Sequence, residues 1–186
     1  MTKPLTISEL KKELKIMNEF ELKELILELY KSSVQVKEIL NAKFIGDSYL
    51  IEILETYKRK MLDEFYPKGN RAPSLKGAKL LITDFKKFGD LASILDLMLY
   101  YVELGTRYTD EYGDINQAFY DSLCRVYEEF IHELGSKGTE ELYYKFKSRV
   151  EKLVSMACNM AWGYGEFIME KTREIIWDEN DLEWEE

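Results

Sequence analysis

Residues 94–104, ILDLMLYYVEL, are apolar on nearly every side of a helical wheel. A helix of that kind has to be covered by neighbours, so it lies at the centre of a packed structure. The flanking segments place apolar residues at every third or fourth position and never in strand alternation, so the cover is helical too. The chain therefore reads as all-α, one domain of about eight or nine helices. An irregular bundle and a short superhelix of antiparallel helical hairpins both satisfy this pattern.

Breakers and caps place the elements. Only three prolines and ten glycines interrupt 186 residues. Thr6 with Glu9, and Asn18 with Glu21, form capping boxes that predict helices over about 7–16 and 19–32. In the second, Leu22, Leu25, Ile26 and Leu29 make one apolar stripe. Ser33 predicts a third helix over about 34–45, with Val36, Ile39, Leu40 and Phe44 inward. A fourth, about 48–65, presents Ile51, Leu54, Tyr57, Met61 and Phe65. The segment YPKGNRAPS (66–74) is the clearest loop and the only candidate subdomain break. Further helices are predicted over about 75–88, 91–105, 116–134 and 140–159, with a last one reaching about Trp177. Residues 1–177 thus form the expected domain, and 178–186 an acidic tail expected to be disordered.

The net charge of −9 argues against a general binder of nucleic acid or anionic membranes. Its distribution is uneven. The last nine residues, DENDLEWEE, hold six acids and no base, leaving −3 for the rest. Residues 58–87 hold nine bases against three acids, a local +6. That stretch keeps nucleic acid as an alternative partner, although its bases are spread as on a solvated face and no docking motif accompanies them. The tail could also dock on it, within one molecule or between two. No apolar run reaches the roughly 18 residues of a membrane span, and the N-terminus lacks a signal-peptide core. A cytoplasmic protein is expected. Cys124 and Cys158 lie in helical apolar patterns, where small buried hydrophobes are expected rather than a disulfide framework or a zinc site.

The candidate site is the stretch from Glu103 to Asn116, expected as a loop dense in tyrosines and acids. Tyr108, Asp110, Glu111, Tyr112 and Asp114 form its predicted interaction surface, because tyrosines beside charges combine apolar area with a polar tip. Glu103 is one turn before Arg107 and could pair with it. Alternatively Glu103, Asp110, Glu111 and Asp114 could supply oxygen ligands to a divalent ion that activates water. The order D-E-Y-G-D departs from the calcium-loop pattern. A plainer reading has Asp114 capping the next helix and the tyrosines packing on the core with their hydroxyls in water. His132, the only histidine, reads as a helix-surface residue. The GYG at 163–165 does not follow a strand, so with Ala157 and Ala161 it is read as small residues for close packing or a kink. No P-loop is present, no catalytic residue is singled out, and no cofactor is implied.

Three segments resemble a family of small bacterial proteins known as a domain of unknown function. They are 6–44 (ending LNAKF), 75–88 (LKGAKLLITDFKKF) and 96–123 (DLMLYYVELGTRYTDEYGDINQAFYDSL), with the YGDIN turn the most specific part. The resemblance implies an all-helical bacterial protein with no assigned activity. The expected function is a non-enzymatic helical interaction or scaffold domain, whose partner is an unknown protein or a second copy of the chain.

Overall fold

A computed structural model of the chain describes residues 3–69 and 71–175. Among these residues there are nine α-helices and no strand: α1 (Ile7–Ile16), α2 (Glu19–Ser32), α3 (Val34–Ile45), α4 (Asp47–Phe65), α5 (Leu75–Phe85), α6 (Leu91–Tyr112), α7 (Gln117–Lys137), α8 (Glu140–Ala157) and α9 (Tyr164–Arg173). The fold is all-α, as the periodicity predicts. The expected tail from 178, and the end of the last helix near Trp177, lie outside the described residues. The chain divides into two compact units, Met1–Gly46 and Asp47–Glu186.

In the first unit, local signals set the helices. Thr6 and Asn18 each accept a hydrogen bond from the backbone of the third helical residue, while Glu9 and Glu21 reach back to the cap N–H groups. Ser33 caps α3 by accepting from Val36 N–H. Helices α2 and α3 pack together, with the Tyr30 hydroxyl 3.2 Å from Asn41 Oδ1 and Lys37 over the Tyr30 ring. The apolar stripes behave differently from expectation. Ile7, Leu10, Ile26, Leu29, Ile39 and Phe44 are exposed, and no apolar residue of α1, α2 or α3 is buried. The periodicity correctly gives helices, but it does not say what covers their faces.

The second unit has a dense core around α6. Ten α6 residues are buried, and the helix packs against α4, α5, α7 and α8, with α9 against α7 and α8. This is the central position that its all-round apolarity requires. Leu50 turns inward on α4 while Ile51 is exposed. The 66–74 segment lies inside this unit, where Ser74 N–H donates to Glu64 O at 2.8 Å. Helix α5 ends at Phe85, short of the expected 88. The chain then turns back so that Gly89 N–H donates to Phe85 O and the Phe88 ring packs on Phe85.

Tyrosine hydroxyls stitch the core. Tyr101 bonds Ser122 at 2.8 Å, Thr106 bonds Tyr164 at 2.6 Å, and Tyr127 bonds Thr172 at 2.6 Å, joining α6 and α7 to each other and to α9. Each pairing satisfies a group whose burial alone would be unfavourable. The GYG segment does mark a break. Trp162 and Gly163 both adopt positive φ, of 62° and 70°, and α9 starts at Tyr164. A Cβ on Gly165 would sit 2.5 Å from the Ala157 carbonyl oxygen, so the close approach to the end of α8 requires glycine there.

Candidate functional site

The stretch expected as a Tyr-acid loop is mostly helix. Helix α6 continues to Tyr112, seven residues past the expected end, and only 113–116 is loop. Two buried threonines carry it on. Thr106 donates to Val102 O and Thr109 to Thr106 O, so polar side chains on the inner face are satisfied by their own helix. Gly113 stops α6 at φ 83°, with its N–H on Thr109 O.

The five predicted surface residues sit at this end of α6. Tyr112 is exposed and stacks on the half-buried Tyr108, with centroids 4.7 Å apart. Tyr66 meets Tyr108 edge-on at 5.6 Å, and Phe119 flanks it at 5.9 Å. Tyr108 is thus an anchored ring and Tyr112 an exposed one. Asp110, Glu111 and Asp114 are exposed. Among the described residues the Tyr66 hydroxyl is buried without a hydrogen-bond partner. Burial first, and the nearby Glu111 carboxylate second, push its pKa up to about 12. Asp114 does not cap α7. Asn116 does, accepting from Phe119 N–H at 3.0 Å, and Asp114 instead accepts from the Tyr120 hydroxyl.

The four acids proposed as metal ligands are not gathered. Among the described residues no group of three or more His, Cys, Asp or Glu side chains is placed to hold an ion. Both Glu103 oxygens are engaged by Arg149, from Nε and Nη2 at 2.8 Å each. The expected Glu103–Arg107 pair is therefore replaced by a bidentate pair with α8.

That pair belongs to a network the sequence reading missed. Arg149 Nη1 donates to Asp96 Oδ1 at 2.6 Å, and Lys58 Nζ donates to Asp96 Oδ2 at 3.0 Å. Burial would raise the Asp96 carboxyl, but Arg149 and Lys58 outweigh it and hold it below its usual range. Burial likewise opposes the Arg149 charge, and Glu103 and Asp96 more than compensate. The signal was present: Asp96 and Glu103 lie two turns apart on the central helix, and Arg149 flanks the Phe146–Val150–Leu153 stripe of α8. Charges so placed need partners across the interface. Beside the network a groove of about 380 Å³ opens between α6 and α8, lined by Glu103, Arg107, Arg149, Lys152, Leu153 and Met156.

Other candidates resolve simply. Within the basic stretch, Lys58 pairs with Asp96 and Glu55, Lys86 with Glu129 and Lys87 with Asp84. Lys58 and Lys86 thereby meet acids from outside the stretch, whereas the Lys87–Asp84 pair is already counted in the local +6. His132 is exposed on α7, as expected. Both cysteines are free thiols. Cys124 is half-buried, and burial pushes it up to about 11; Cys158 is exposed, contrary to expectation, because α8 ends one residue earlier. No helix among the described residues is long and apolar enough to cross a membrane.

Fold and site together define an all-helical protein with a half-buried ion network between α4, α6 and α8. The chain belongs to the family of unknown function DUF6155, whose model matches residues 5–178. This extends the resemblance of three segments to nearly the whole chain. Neither the curated proteins nor the solved structures hold a match.

Proposed function

We propose that this protein is a non-enzymatic interaction module whose helices α1–α3 are completed by a protein partner. One observation carries the reading: an amphipathic three-helix segment with intact caps buries none of its apolar side chains. Phe20, Val34 and Phe44 are each more than two-thirds exposed. Apolar exposure on this scale marks contact sites in folded proteins. A segment of 46 residues without a core is also below the size, roughly 55–65 residues, at which many domains fold unaided. The chemistry that fits is another apolar helical face, on a different protein or a second copy. The Tyr108–Tyr112 pair, with Asp110, Glu111 and Asp114, offers a smaller second patch at the end of α6. The family model crosses both units, which supports treating them as one functional module.

The test is site-specific photo-crosslinking in cells, with benzoylphenylalanine in place of Phe20 or Phe44 and, as control, Glu133. Crosslinks to a discrete polypeptide from the first two positions, absent at the third, are expected. If positions 20 and 44 yield no more polypeptide adducts than the control, the reading is wrong.

A further inference from the structure

The groove between α6 and α8 has a charge imbalance that the ion network does not explain. Lys58 and Arg149 against Asp96, Glu103 and Glu55, which also pairs with Lys58, sum to −1. Arg107 and Lys152 line the same groove and form no ion pair among the described residues. Arg107 and Lys152, both exposed, therefore bring the groove and its network to +1 on a protein of net charge −9. Arg149 adds directed donors. A guanidinium has five N–H groups, and Glu103 and Asp96 take three of them. The remaining N–H groups are held in a fixed plane by the bidentate contact, which is the preorganisation that oxyanion recognition uses. Glu111, one turn beyond Arg107, lies beside Tyr66 and forms no ion pair with Arg107 among the described residues. The rest of the lining is apolar: Leu153 is buried, and Met156 half-buried with a flexible thioether.

The geometry points to a binding site for a small organic anion, a phosphate or carboxylate on a short apolar body. Arg107 and Lys152 flank the oxyanion, Arg149 donates to it from the network side, and the apolar part rests on Leu153 and Met156. A groove of about 380 Å³ with charged groups beside the apolar Leu153 and Met156 falls within the size range of small-ligand sites. The site lies in the second unit and is independent of the proposed contact face on α1–α3.

Isothermal titration of the full chain with n-butyl phosphate, n-pentanoate, inorganic phosphate and n-butanol tests this. At least one organic anion is expected to bind in the millimolar range or tighter, more tightly than inorganic phosphate and butanol. The order of the two anions tells a phosphoryl source from a carboxylate source. Arg107→Gln and Lys152→Gln should each weaken binding about tenfold, the scale of one charge-assisted hydrogen bond. Lys12→Gln, on α1, should leave it unchanged. Neither groove residue forms an ion pair among the described residues, so both variants should keep the wild-type melting temperature. Amide NMR shifts on adding n-butyl phosphate or n-pentanoate should cluster at residues 103–107 and 149–156. Absence of binding by either organic anion at millimolar concentration, or binding undiminished in both groove variants, would overturn the proposal.

Discussion

The two units of this chain carry similar helical signals and put them to different use. In α1–α3 the caps are complete and the apolar stripes regular, yet none of the apolar side chains is buried. In α4–α9 the caps are no better, and Phe65, Phe85, Phe130, Phe146 and four tyrosines are fully buried. Helix-forming information is therefore separate from core-forming information. A helix can be specified by its ends and period, but its stability within a protein comes from what its apolar face meets. The sharpest break of this comparison is a pair of truncations. Phe130→Ala should cost about 3–5 kcal/mol in urea unfolding, whereas Phe44→Ala in the isolated protein should stay within about 0.5 kcal/mol. Equal costs would mean that the first unit has a core after all.

Next in size is the ion network, which only the second unit possesses. Arg149→Leu leaves Asp96, with 15% of its side chain exposed, and Glu103 without their main partner. Breaking a fully buried pair costs more; with Arg149 itself 31% exposed, about 2–3 kcal/mol is expected at neutral pH. The pH dependence has a defined sign. Asp96 has a folded pKa below its unfolded value, so its contribution is present above the usual Asp range near 4 and lost as pH falls through the folded value. The variant should therefore approach the wild type in stability as the solution is acidified. A penalty of constant size down to pH 3 would assign the loss to packing alone.

How much of this was legible beforehand follows the same division. The ends of α1 and α2 could be read to the residue, because capping boxes are local chemistry written in four adjacent positions. The central place of α6 was legible because all-round apolarity admits no other. The extension of α6 to Tyr112 was not. Thr106 and Thr109 look like loop residues in a sequence, and only the structure shows their hydroxyls bonded within the helix on a buried face. Arg149 was missed for a related reason: a base on the flank of an apolar stripe looks like solvated surface until an acid pair two turns apart is found opposite it. The bare faces of α1–α3 were illegible in principle, since a stripe records that a face needs cover without recording where the cover comes from.

An alkaline titration probes the tyrosine-rich core that only the second unit has. Burial pushes Tyr66, Tyr101 and Tyr120 up to about 12. A raised folded pKa means that their contribution is complete below the unfolded value near 10 and lost as pH rises toward 12. Tyr101 alone should remove about 1 kcal/mol by pH 11. Unfolding midpoints in urea at pH 9, 10 and 11 would show it, and Tyr101→Phe should flatten the fall. A stability profile flat to pH 11 would show that the phenols ionise without resistance.

The smallest expected effect addresses the first unit directly. Asn18→Ala removes the oxygen that accepts from Glu21 N–H at 3.0 Å and should cost about 1 kcal/mol. Where that loss is felt is the informative part. Helix α2 has few other supports: an exposed Lys23–Glu19 pair, worth a few tenths of a kcal/mol, and its contact with α3. With so little burial it should open on its own, so amide exchange should quicken across Glu19–Ser32 while the melting temperature of the whole protein stays put. In a helix coupled to the core through buried apolar contacts, the same cap loss would lower global stability by its full amount. A fall in melting temperature of several degrees would join the two units into one cooperative fold, and would remove the argument that α1–α3 await a partner.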